Sequence, residues 1–267
     1  MSIISLSVTD LCLAASLIGL LALLSLRMKL KLAGQILIAG LRTSVQLTLI
    51  GLVLKILFEE VRPLWLLAMG VVMLLVAGRE VMRRQQRPFT GWWGFGVGTV
   101  SMCISSFSIT ILALVVIIGV DPWYSPQYAI PLLGMMLGNT MTGVALGLDR
   151  LTETSWQQRH VIEARLILGQ DWSQAIGDIR RQSVRSGLIP IINAMTVAGL
   201  VSLPGMMTGQ ILAGNPPQEA VKYQILIMFL IAGGTGLGTI SAIWMGSSRL
   251  FDSRQRLRLD RLGTQTR

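Results

Sequence analysis

Apolar residues run through this chain in seven long blocks separated by short polar connections. The blocks fall near residues 8–26, 35–58, 64–81, 95–120, 128–148, 188–212 and 223–246. Each is close to the roughly 20 mostly apolar residues that an α-helix needs to cross a bilayer. None alternates apolar and polar positions as a barrel strand does, and in lipid only helices or closed barrels satisfy every backbone group. The pattern therefore predicts an all-α, polytopic membrane protein with seven transmembrane helices. The sixth block is the least regular, because Pro190 and Pro204 interrupt it.

Composition moves the picture the same way. Hydrophobic residues make up 52% of the 267 and charged residues only 13%, about half the share in an ordinary globular domain. The two cysteines, Cys12 and Cys103, fall inside apolar runs and read as small buried hydrophobes rather than a disulfide framework. The first block has no positive region before it, so it is expected to stay as a membrane helix rather than leave as a signal peptide.

Charge adds direction. The net charge is +10, which in a soluble protein would suggest nucleic acid. Here the basic residues lie between apolar blocks, where membrane lipids and topology account for them, and no nucleic-acid partner is expected. The segments after blocks one, three, five and seven hold nineteen Lys and Arg against three after blocks two, four and six, with Arg42 left inside a span. The positive-inside rule then puts the N-terminus outside and the C-terminus in the cytoplasm of a multi-pass cell-membrane protein.

This reading divides the chain into a transmembrane permease-like domain over 1–248, with one long cytoplasmic loop at 149–187, and a basic tail over 249–267. The loop predicts two short amphipathic helices. The first runs from about Thr154 to Leu168 with Val161, Ala164, Ile167 and Leu168 on one face. Gly169 breaks it, and Asp171 followed by Gln174 resembles a capping box opening a second helix to about Arg185. The tail, with Leu250, Leu257, Leu259 and Leu262 among its arginines, reads as a solvated stop-transfer segment in preference to a docking site.

Within the loop, Glu163, Ala164, Gly169 and Ile179 match the spacing of the EAA loop of ABC-importer-type permeases. Arg165 departs from it, and the closing Leu-Pro is missing. Such a loop offers a helix–turn–helix knob to a groove on an ATPase; the alternative is an ordinary amphipathic loop on the membrane surface.

In the membrane, Gly134-Met135-Met136-Leu137-Gly138-Asn139 is echoed by Gly205-Met206-Met207-Thr208-Gly209-Gln210, each shortly after a proline. Packing is the first explanation, with Asn139 and Gln210 able to hydrogen-bond between helices. If the methionines bind cargo, thioethers favour soft cations. Arg42, with Gln46 one turn later, is an ionisable group inside a span and so a candidate for the transport path, as is Asn193; a structural pair to Gln46 or a carbonyl is the rival for Arg42.

Absences narrow the function. There is no P-loop, so the chain is not expected to bind ATP itself. His160 has no second His or Cys near it, and no hydrolase motif appears, so the chain does not read as an enzyme. No carboxylate lies mid-span, which weighs against an ion-gradient-driven transporter or channel. A membrane stress-tolerance factor without transport activity is the other rival.

Together, Arg42 to Leu47 (RTSVQL), Pro131 to Gly143 (PLLGMMLGNTMTG), the Glu163 to Gly169 loop, Pro190 to Asn193 and Leu203 to Gly214 (LPGMMTGQILAG) resemble the FetB-type family of ABC permeases, which includes plant aluminium-sensitivity relatives. The resemblance implies a permease without its own ATPase, partnered by a separate P-loop ATPase that uses the ATP, in a complex of two permeases and two ATPases. It also implies a role in metal, specifically iron, export. Glu163, Ala164, Arg165, Gly169, Asp171 and Ile179 would then couple to the ATPase. Arg42, Gln46, Met135, Met136, Asn139, Asn193, Met206, Met207 and Gln210 would be candidates for the path.

Overall fold

A computed structural model describes residues 7–59 and 62–263. Positions 1–6 and 60–61 of the predicted permease domain, and 264–267 of the predicted tail, lie outside the described residues. The fold is helical. Among the described residues there is no strand, only isolated bridges such as Phe89 with Leu262 and Phe251 with Leu257.

The chain divides into two units. The first holds α1 (Val8–Arg27) and α2 (Ala33–Glu59), together with the connector Leu212–Asn215. Ser7 and Asp10 form a reciprocal capping box that opens α1 and satisfies two otherwise orphaned donors. Gly40 of α2 lets the helices approach, since a Cβ there would stand 3.2 Å from Ile18. Cys12 is exposed on α1, not buried as the sequence suggested. Its apolar neighbours are exposed as well, as suits a helix whose solvent is lipid.

The second unit is built from α3 (Pro63–Arg83), α4 (Trp92–Ile118), α5 (Pro126–Gln157), α6 (Arg159–Ile167), α7 (Trp172–Ala175), α8 (Gly177–Val197), α9 (Gly205–Leu212) and α10 (Pro217–Arg249). At its centre α5 packs against α3, α8 and α10. With 32 residues, α5 is about 48 Å long, well beyond a hydrocarbon core of about 30 Å. Its last turns therefore stand clear of the apolar layer and carry the loop helices. Two stretches of α4, Cys103–Phe107 and Ala113–Ile118, are wound as π-helix.

Among the described residues, six helices are long and apolar enough to cross a membrane: α1 to α5 and α10. The block predicted at 188–212 is not one continuous helix. Its first half is the end of α8, which runs on from Gly177 through Arg180, Arg181 and Arg185 and is too polar overall to rank as a span. Pro190 is accommodated inside α8. The break comes later, where Ala198 turns extended and Gly199 takes φ +82, closing a tight turn with its N–H on the Ser202 carbonyl at 2.9 Å. That left-handed conformation suits glycine and stops the helix. Pro204 follows, and α9 starts afresh.

The tail is also a correction. Leu250, Phe251 and Leu262 are buried, and they belong to the same apolar core as α3, α5 and the loop helices. Sparse leucines among arginines read as solvated because they follow no helical period; they pack because the tail turns back on itself.

Candidate coupling knob and membrane seam

The loop after α5 folds as a closed knob. At the end of α6 the Gly169 N–H bonds the Leu166 carbonyl (3.0 Å) and the Gln170 N–H bonds the Arg165 carbonyl (3.1 Å), with Gly169 at φ +90. This is a Schellman turn, and it needs glycine at its left-handed position. Asp171 then caps α7, its carboxylate accepting the Gln174 N–H at 2.7 Å. The single-turn helix resets at Ile176 and continues as α8, well past the predicted end near Arg185.

Arg165, the departure from the EAA spacing, is the staple of the knob. Its guanidinium donates to the Ala175 carbonyl and to Asp178 Oδ2, both at 3.0 Å, and so ties α6 to the start of α8. Asp178 also pairs with Arg181. Hydrogen bonds from Arg165 and Arg181 hold its carboxyl below the usual carboxylate range. Ile162, Ala175, Ile176 and Ile179 fill the inside of the knob. Of these only Ile179 was singled out from sequence; the others carry no signal beyond being apolar.

What remains outside is the predicted α6 face. Val161, Ala164, Ile167 and Leu168 are all exposed, the last two at 85% and 82%. Glu163 is exposed beside them, with His160 Nδ1 3.9 Å from its carboxylate. A rigid, internally paired scaffold thus presents an apolar tip with one free carboxylate.

The knob is bound to the C-terminal tail. Trp172 stacks at 5.7 Å on Phe251 of the tail, and its N–H donates to Gln255 Oε1 at 3.1 Å. Arg261 returns to cap α10 by donating to the carbonyls of Arg249 (2.7 Å) and Phe251 (3.0 Å). Beside it, the Thr90 N–H bonds the Arg261 carbonyl at 2.8 Å and the Gly263 N–H bonds the Pro88 carbonyl at 2.7 Å. In the connector between α3 and α4, Arg87 pairs with Glu153 of α5 at 3.0 Å and lies 4.2 Å over the Trp156 ring.

Of the nine candidate path residues, three methionines are brought together and the rest are scattered. Met135, Met136 and Met206 pack in one apolar cluster with Ile227, Leu230 and Ile231 of α10. Met207 faces a separate groove. The Asn139 amide turns back to the Met135 carbonyl of its own helix at 2.8 Å, and Asn193 is exposed on α8. Gln210 Oε1 is enclosed without a hydrogen-bond partner. Arg42 and Gln46 belong to α2, in the other unit, and are exposed there.

A seam lies where α4, α5, α8 and α10 meet, and the small-residue run Gly233 to Thr239, which reads in sequence as close helix packing, forms the α10 side of it. A Cβ on Gly238 would run into Thr140 and stand 2.7 Å from Ser105 Oγ, and one on Gly143 would stand 2.7 Å from Thr239 Oγ1 and 2.9 Å from the Gly187 carbonyl. Ser106, Thr110, Thr140, Thr235 and Thr239 are buried along these helices, and their hydroxyls have no partner. Ser105 and Ser106 lie in the first π segment of α4, a distortion often found at functional positions. The signal available in sequence was hydroxyls one turn apart inside apolar blocks: 101 and 105, 106 and 110, 235 and 239.

These features define a polytopic α-helical membrane protein with a helical knob and a folded C-terminal tail. Residues 8–251 match the uncharacterised protein family UPF0014, and the chain belongs to that family. It is 42% identical over 232 residues to the UPF0014 membrane protein slr1647 of Synechocystis, covering 85% of this chain and 87% of the relative. It is 32% identical to the probable iron export permease protein FetB of Escherichia coli, over 93% of each chain. It is 31% identical to the protein ALUMINUM SENSITIVE 3 of Arabidopsis thaliana, over 87% of this chain and 83% of that one. No solved structure matches the chain.

Proposed function

We propose that this chain is the membrane-spanning subunit of an ABC-type exporter, driven by a separate P-loop ATPase and moving metal, with iron as the cargo, out of the cytoplasm. The observation that carries the reading is the knob. Arg165 and the Gly169 turn make it stiff, while Glu163, Val161, Ile167 and Leu168 are left exposed on its outer side. A stiff knob with an apolar tip can transmit a rigid-body push. Its ties through Trp172 to the tail and through α5 to the α3–α4 connector give that push a route to the membrane helices. The name of the Escherichia coli relative supports iron as cargo and export as direction.

In this reading the chain crosses the membrane seven times with its N-terminus out and its C-terminus in. The sixth crossing is the apolar end of α8 completed by the turn and α9. Arg42, Gln46 and Asn193 are polar side chains left exposed on membrane helices of a single copy. Such groups need a second copy or a water-filled path beside them, which supports a pair of permeases in a two-plus-two complex with its path between polar faces. ATP is bound by the partner subunit.

The test is capture and transport together. Leu168→Asp and Glu163→Lys should each abolish co-purification of a P-loop ATPase from native membranes at low salt and stop ATP-dependent iron efflux from proteoliposomes. The solubilised variants should keep the wild-type chromatographic profile. ATPase capture and efflux unchanged in both variants would sink the proposal.

A further inference from the structure

A groove of about 500 Å³ lies between the end of α8, the 198–204 turn, the start of α9 and the first half of α10. Met195, Ala198, Met207, Met228 and Phe229 make most of its wall, and no charged side chain lines it. The polar exception is Gln224. It is only 8% exposed, sits between the buried Ala220 and Ile227 on α10, and its enclosed Oε1 has no hydrogen-bond partner. Lys222 nearby is engaged by Glu219 at 2.7 Å and does not line the groove.

These observations state what a ligand must be. The volume is that of a pocket for a whole organic molecule, far more than a metal ion occupies. The wall has no charge to balance an anion or replace the hydration of a cation. The single amide asks for one neutral group that can donate a hydrogen bond to it. We propose that this groove binds a neutral amphiphile taken from the bilayer, an apolar body carrying a free hydroxyl, with diacylglycerol as the pattern, and that Gln224 reads the hydroxyl. The three methionines then serve as adaptable walls for a flexible chain, as thioether side chains do elsewhere. This site is separate from the knob, and of the candidate path residues Met207 alone lines it.

The experiment uses the full chain in lipid nanodiscs containing a diacylglycerol with a photoreactive acyl chain, or phosphatidylcholine, which has no hydroxyl, with the same acyl chain. Labelled peptides spanning 195–207 and 221–229 are compared with peptides from α1, which report ordinary lipid contact. Diacylglycerol should label the groove peptides about fivefold more than phosphatidylcholine, the discrimination one neutral hydrogen bond supplies. Gln224→Leu should remove that preference while leaving α1 labelling unchanged. Ala198→Phe, which fills the groove, should reduce groove labelling by both lipids. Equal labelling by the two lipids overturns the proposal, as does a preference that survives Gln224→Leu. Cross-links joining two copies of the chain through the groove in place of lipid would overturn it too.

Discussion

The segments Gly134–Asn139 and Gly205–Gln210 are near copies in sequence and opposites in structure. The first lies about two turns into a 32-residue helix with partners on several sides, and Met136 there has no exposed surface, its methyl resting against Gly234. The second makes most of an eight-residue helix with no buried residue. The prolines explain the difference. Pro126 at the first turn of α5 starts the helix early, and Pro131 rides inside it, whereas Pro204 follows a completed turn and α9 begins only at Gly205. Identical local chemistry thus becomes core in one place and a loosely held flank in the other. The number of helices around a segment decides its role.

The contrast can be broken by mutation. Met136→Ala leaves a cavity in the middle of the second unit and should destabilise the protein by about 2–5 kcal/mol, read as a lowered midpoint of thermal unfolding in detergent. A Met136→Ala variant that unfolds like wild type would mean the first segment is as loosely held as the second. Next comes the close approach that seats α5 against α8. A Cβ on Gly187 would stand 2.5 Å from the Gly143 carbonyl oxygen, and backbone cannot yield as a side chain does. Gly187→Ala should cost about 1–3 kcal/mol in the same assay. Smaller again is Met206→Ala. Its side chain only borders the apolar cluster, so the loss should be about 1 kcal/mol, below the usual range for a fully buried methionine. Equal losses for Met136→Ala and Met206→Ala would erase the distinction between the two copies.

Membrane crossing was legible in sequence because it depends on one quantity, the apolar length, which a 20-residue window measures directly. Blocks one to four fall within about three residues of observed helices, block four with π winding as well, whereas the helices at blocks five and seven run on up to nine residues beyond the predicted ends. Block six misled because hydropathy is blind to the left-handed turn at Gly199. In the knob the punctuation could be read, since Gly169 and Asp171 act through local backbone geometry. The role of Arg165 could not, because its partners Ala175 and Asp178 lie ten and thirteen residues on and become neighbours only after the turn has formed. The tail failed for a related reason. Leu250, Phe251 and Leu262 are spaced by no period, and their burial depends on meeting Phe89 and Trp172 from distant segments. The paired hydroxyls of the α4–α10 seam were visible in sequence, but their meeting at Gly238 and Gly143 was not.

The smallest expected effect bears most on chemistry. Met207→Leu keeps the shape of an adaptable wall residue and removes only the sulfur. On the half-exposed flank of a groove it should change stability by less than about 0.5 kcal/mol. If the second segment is a flank and not a ligand set, ATP-dependent iron efflux from proteoliposomes holding both subunits should also be unchanged by Met207→Leu, alone and combined with Met206→Leu. A fall in efflux without a fall in stability would show that sulfur contacts cargo. That result would restore to the two copies a shared function that their unequal burial denies them. Iron in its ordinary hydrated forms prefers oxygen donors to thioethers, so unchanged efflux is the outcome expected from the donor chemistry as well as from the packing.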